Sequence, residues 1–377
     1  MVTNSAHQVW VYEPDEPIAP GETLLQWLAH TGTSQADLAR HAGLSAKHVN
    51  QLVKGLVPLS GQIALSLEKV TGIPARIWSR LEADFRELSL RQEEEVGLAE
   101  WGDWAKQFPY NELVRRGHVP ASTGPADKVR QLLRFFGVAS PQAYDKVWRI
   151  PTAYRLARTK PSNPLAVSAW LRIGEIEAAK IPTQPFDREV FTAALGEARQ
   201  LTLKDQPKDW LTELQQVCAA AGVAVVVEPE LAGSRINGAV RWLTPEKALL
   251  QLSFRYKWYD VFWFSFFHEA GHLLKHGKRI RLAEDRPTGS EVRGSTLIDD
   301  GTQDPELETE ADDFARRILI PAQYEKALDL IRDEPSLKAF AQRVGIAPDI
   351  VLGRLQFEGK AHYNELPHLK RRVEFKP

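Results

Sequence analysis

FFHEAGHLLKHG, residues 266–277, sets His268, Glu269, His272 and His276 in an otherwise apolar stretch. Groups that resist burial need partners when the chain buries them. The longer segment YDVFWFSFFHEAGHLLKHG exceeds a strand in length and is apolar on all sides, which predicts a buried helix. On that helix His268 and His272 fall one turn apart on one face, about 6 Å along the axis. Two imidazoles so spaced can meet one ion. His276 lies about 12 Å along the axis from His268 and is expected to be hydrogen-bonded or partly exposed at the helix end, outside the ligand set.

Zinc accepts nitrogen and oxygen ligands where thiolates are absent, and a hydrolytic site uses three protein ligands and leaves one position open. Glu269, between the histidines in an HExxH pattern, is placed to take a proton from water attacking a carbonyl, so the implied reaction class is peptide hydrolysis. The third ligand must come from elsewhere. The helix PELETEADDFARRILI offers Glu306, Glu308 and Glu310. Asp304 is a plausible N-cap for it, with Pro305 at the first helical position. Glu308 is the choice, because it shares a face with Ala311, Asp312 and Ala315. Small alanines there allow close approach to the first helix, and Asp312, one turn on, can hold a ligand histidine in its tautomer. Glu306 and Glu310 are expected to be solvated charges.

Upstream, a helix ending at Gly222 is followed by VAVVVEP, INGAVRWL and KALLQLS, which predict strands of a small sheet. HEAGHLLKH and the later ETEADDFARRILIP, together with AAAGVAVVVEP and INGAVRWL before them, resemble the ImmA/IrrE family of zinc metallopeptidases over about residues 210–321. The resemblance implies a gluzincin-like α+β domain holding Zn2+ by His268, His272 and Glu308, with Glu269 as the catalytic base. One departure is Asp312, where many relatives have asparagine; either side chain can hold a histidine.

From Pro20 to about Arg91 the pattern is of short helices punctuated at Gly32, Gly43, Gly55 and Gly72, five in the simplest reading. TSQADLARHAGLSAKHVNQLVKG fits two helices joined at Gly43, a helix-turn-helix with Leu38, Ala39, Leu44, Val49 and Leu52 inward. Ser45 caps the second helix, which would present Lys47, His48, Asn50 and Gln51 to a major groove, with Lys54 near phosphates. Ser34 and Gln35, at the start of the first helix, are candidate phosphate contacts. The stretch from PGETLLQWLAHTGTSQADLA to ALSLEKVTGIPARIW resembles the HigA-like branch of the XRE helix-turn-helix family, antitoxins and repressors that bind operators as dimers.

A net charge of -1 excludes a globally basic nucleic-acid binder but leaves room for a small DNA-reading surface. The one cysteine, Cys218, provides neither a disulfide framework nor a thiolate metal site and fits a cytoplasmic protein. No stretch reaches the roughly 18 apolar residues of a membrane span, and neither export nor insertion is expected.

The expected protein is therefore multidomain. An all-α helix-turn-helix domain occupies residues 1–91, a helical connector 92–205, and an α+β gluzincin-like zinc peptidase domain with a C-terminal helical extension 206–377. Its expected role is transcriptional regulation coupled to cleavage of a regulatory protein, a repressor or toxin-antitoxin partner, with operator DNA bound by a homodimer. The substrate could add as an extended strand to the sheet carrying INGAVRWL. The alternative is a non-catalytic antitoxin or repressor whose peptidase-like part is a metal-stabilised interaction module.

Overall fold

The computed structural model describes residues 16–148, 163–276, 296–298 and 305–373. Asp304, the expected N-cap, lies outside them. The chain is rich in helix, carries one small sheet, and divides into two compact units, residues 1–102 with 123–130, and residues 103–122 with 131–377. Residues of the 92–205 block fall in both. Among the described residues no helix is long and apolar enough to cross a membrane.

The first unit holds α1 (Pro20–Thr31), α2 (Gln35–Ala42), α3 (Ala46–Val53), α4 (Gly61–Thr71) and α5 (Ala75–Glu100). Serines start three of them: Ser34, Ser45 and Ser60 accept backbone N–H groups three residues on, which satisfies an otherwise orphaned donor. Gly43, at φ 69°, ends α2 in the left-handed conformation that turns the chain into α3. Leu24, Leu38, Val49, Leu52, Leu67 and Trp78 form the core. Gly21 is where α1 meets α3, since a Cβ there would lie 2.2 Å from the Val53 carbonyl oxygen. One expectation changes: α5 is not short. It runs through Glu93–Glu95 to Glu100 because Glu, Gln, Arg and Leu are good helix formers and no proline interrupts them.

α6 (Gly102–Lys106), α7 (Tyr110–Arg115), α8 (Pro125–Phe136) and α9 (Pro141–Trp148) follow, then the elements around the sheet: α10 (Pro164–Lys180), α11 (Arg188–Leu201) and α12 (Pro207–Ala220). The strands are β1 (Val223–Val227), β2 (Gly238–Thr244), β3 (Lys247–Leu252) and β4 (Thr296–Ile298), in the order β1-β3-β2-β4. β1 runs parallel to β3; the other pairs are antiparallel. The three strand segments legible in the sequence are β1, β2 and β3. They are almost continuously apolar because both faces are covered. Ala224, Val226 and Leu249 pack with Ala178 of α10, whereas Val223, Val225, Val240 and Leu250 join the main core with α12 and the helix that follows β3.

That helix is α13 (Tyr259–Lys275), buried along nearly its whole length. Trp263, Phe266 and Phe267 are fully buried on it, each contributing roughly 1.5–3 kcal/mol. α14 (Pro305–Leu319) lies against α13, and α15 (Glu325–Leu328), α16 (Glu334–Val344) and α17 (Pro348–Phe357) complete the unit. Ala239–Arg241 of β2 pair with Ile298–Thr296 of β4, so among the described residues the outer strands of the sheet are β1 and β4, not the INGAVRWL strand itself.

Candidate metal centre

Close approach of α13 and α14 builds the site. A Cβ on Gly271 would lie 3.0 Å from the Phe314 ring and 3.3 Å from the Ala311 Cα, and Ala311 and Ala315 are fully buried. The expected stripe of small residues thus lets the helices meet and carries Glu308 to the histidines. His268, His272 and Glu308 each offer a ligand atom within 4.8 Å of one another, a group that could hold a metal ion. The Nε2 atoms of His268 and His272 are 2.9 Å apart, and the Glu308 oxygens lie 3.2 Å and 3.3 Å from them.

Hydrogen-bond partners assign the ring protons. His268 donates through Nδ1 to Asp312 Oδ1 at 3.0 Å, which leaves a lone pair on its Nε2. Asp312 Oδ2 in turn accepts from Arg316 at 3.1 Å. At the other end His276 donates through Nε2 to Glu310 Oε2 at 3.0 Å, leaving a lone pair on Nδ1. His272 Nδ1 lies 3.0 Å from that atom. With its proton on Nδ1, His272 satisfies His276, and two imidazole lone pairs then converge with the Glu308 carboxylate. Such an all-acceptor cluster, with both histidines buried and Glu308 half-buried, is satisfied by a cation and poorly by anything else. The residues present therefore fit a divalent ion.

Burial opposes the charge of Glu308, but with His268 and His272 protonated in the metal-free site their hydrogen bonds and charge outweigh it and hold its carboxyl at about 2; with both rings neutral, a bound cation would take over that role. Burial also pulls His276 below the usual histidine range against the opposing pull of Glu310, which favours the neutral ring. Glu269 is fully buried, and Gly238 of β2 makes room for it: a Cβ there would lie 2.5 Å from Glu269 Oε1.

The structure brings together His268, His272, Glu308 and Asp312 as the sequence suggested, and Glu269 follows His268 on α13, buried against Gly238. His276, at the end of α13, is hydrogen-bonded, the first of the two alternatives expected, and is buried. One expectation is corrected: Glu310 is more than a solvated charge, because it bonds the far nitrogen of His276, whose other nitrogen lies beside Nδ1 of His272. The continuing i, i+4 spacing of His268, His272 and His276 was the available signal. Gly238 carried none, because its role depends on β2 crossing α13.

In the helix-turn-helix, Lys47, Asn50 and Lys54 are exposed, and Gln35 and Gln51 are half-buried. His48 is half-buried with its Nε2 covered. Ser45 is committed to capping α3, accepting from His48 N at 3.1 Å. Ser34 accepts from Asp37 N at 3.1 Å and donates to the Asp37 carboxylate at 2.7 Å, which sets a negative charge beside the expected phosphate contact.

No family of known proteins matches the chain, and no curated protein matches it. Among solved structures it is similar to an addiction module antidote protein of a HigA family from Coxiella burnetii, with 23% identity over 22% of this chain and 94% of that one, at a TM-score of 0.21. A likeness of that size carries no functional conclusion.

Proposed function

We propose that the second unit is a gluzincin-like, zinc-dependent peptidase of the ImmA/IrrE type. The first unit we read as an XRE-like DNA-binding domain, so that proteolysis of a regulatory protein and control of transcription reside in one cytoplasmic chain. One observation carries the peptidase assignment: two histidine Nε2 atoms and the Glu308 carboxylate converge, with the buried Glu269 on the next helical position. A zinc ion held by His268, His272 and Glu308 would supply Lewis acidity to polarise the scissile carbonyl and acidify water. Glu269 would accept the proton of the attacking water on a carboxylate oxygen and return it to the leaving amine. Its dry surroundings strengthen that exchange, since charges interact more strongly where water is excluded. Asp312 would orient His268 through its Nδ1–H.

Substrates would be a repressor or toxin-antitoxin component, and the DNA-bound form a homodimer. Retained zinc with unchanged proteolysis of every candidate partner in Glu269→Gln would end the hydrolytic assignment. For the first unit, a gel shift on the DNA upstream of the chain's own gene should show binding that weakens steeply with salt and weakens further in Lys54→Ala.

The non-catalytic alternative is favoured by two features: His272 and Glu269 have no exposed surface, and β4 occupies the stretch of β2 beside Gly238. Under it, zinc raises the thermal stability of the protein while no peptide is cut.

A further inference from the structure

We infer that His276 and Glu310 are positioning residues for the ligand His272, forming with it a relay that runs from the protein surface to the candidate ion. The inference rests on the metal-centre reading above and extends it to two side chains outside the ligand set.

A metal-ligating imidazole must present a lone pair on one nitrogen, and the group bonded to its other nitrogen decides whether it does. His268 has a carboxylate for this purpose, Asp312. No carboxylate bonds Nδ1 of His272 among the described residues; the atom beside it is Nδ1 of His276, at 3.0 Å. An imidazole nitrogen can accept that proton only if its own proton sits on the opposite nitrogen. Glu310 secures this condition by accepting from His276 Nε2 at 3.0 Å. The order of donation is then fixed from the rim inward: His276 to Glu310, His272 to His276, and the free lone pair of His272 toward His268 and Glu308. His276 has one face in the buried interior, whereas the Glu310 side chain is 61% exposed, so the far end of the relay is anchored where water stabilises the carboxylate. Both ligand histidines thus end on a carboxylate of α14, one directly and one through a second ring. Four acidic or basic groups of that helix face the site in register: Glu308, Glu310, Asp312 and Arg316.

A merely structural histidine at a helix end would pack but would not bias the tautomer of its neighbour. The distinguishing test titrates metal-free full-length protein with Co2+ alone, followed by its visible absorption, and repeats the titration with Zn2+ in competition. His276→Leu should weaken Co2+ binding by about 10- to 100-fold, the range for loss of a group that orients a ligand. His276→Gln, which keeps an acceptor oxygen, should recover most of it. Glu310→Ala should weaken binding in the same direction, and the double variant should bind no more weakly than His276→Leu, because both residues act through one chain of hydrogen bonds. In zinc-loaded protein with nitrogen-labelled histidine, the His272 Nδ1–H proton should exchange faster in His276→Leu than in the wild type.

Wild-type affinity in a folded His276→Leu, or independent additive losses in the double variant, would overturn the inference. If His276→Leu does not fold, Glu310→Ala decides, since its exposed side chain tolerates truncation: unchanged Co2+ affinity there refutes the relay. A wild-type protein that takes up neither metal refutes the metal centre itself, and the relay with it.

Discussion

If the proposed peptidase centre is correct, Gly238→Ala should disable it without altering any of the proposed ligands. The new Cβ would stand 2.5 Å from Glu269 Oε1, 2.7 Å from its Cγ and 2.9 Å from its Cδ. Ordinary contacts begin near 3.4 Å, so the carboxylate must retreat by roughly 1 Å or β2 must lift. Glu269 has no exposed surface and little room to retreat. An off-rotamer side chain costs about 0.5–1.5 kcal/mol, and inserting a methyl into a packed interior about 1–3 kcal/mol. For a unit of this size that corresponds to a fall in Tm of about 2–12 °C. Displacing a catalytic group by about 1 Å costs on the order of 100-fold in rate. His268, His272 and Glu308 lie on α13 and α14 and are untouched, so zinc affinity should stay within a few-fold, an expectation resting on the separation of base and ligands. Scanning calorimetry, zinc titration and cleavage of a candidate partner read the three effects separately. A Gly238→Ala protein with wild-type Tm would refute the contact, and one that lost zinc but kept its Tm would refute the division between base and ligands.

Further outcomes follow from other parts of the fold. Zinc at 100 times its Kd should stabilise the wild type by about 2.7 kcal/mol; a chelator should reverse this, and Glu308→Ala should abolish it in a thermal melt. Arg199 donates to the carbonyls of Ile318, Leu319, Val344 and Gly345, which closes the C-terminal ends of α14 and α16. Arg199→Met should cost about 3 kcal/mol, the scale of one or two hydrogen bonds to a charged group, and Arg199→Lys should recover little because an ammonium lacks the planar fork; urea unfolding measures both. Burial raises the Glu228 carboxyl, but bonds and charge from His118 and Arg116 outweigh it and hold it below its ordinary 4.5. Between the folded value and 4.5 the unfolded chain binds more protons, so the contribution of Glu228 is present above that range and is lost as pH falls through it. Glu228→Gln should flatten the acid limb of stability against pH, and an unchanged slope in urea titrations would contradict the pairing.

The sequence by itself determined the chemistry within single helices. HExxH spacing put His268 and His272 on one face, and the i, i+4 relation of Glu308 and Asp312 put a ligand and its neighbour on another, because helical geometry is local and periodic. The apolar runs of β1, β2 and β3 and the serine cap of α3 were legible for the same reason. Tertiary structure decided what depends on the meeting of distant segments. His276 was legible as a hydrogen-bonded residue at the helix end, but its partner was not until α14 brought Glu310 to its far nitrogen. Gly238 was an ordinary strand glycine until β2 crossed Glu269, and nothing in the sequence paired Thr296–Ile298 with β2. In each case the partner stands more than 30 residues away in the chain, where no periodicity links the two.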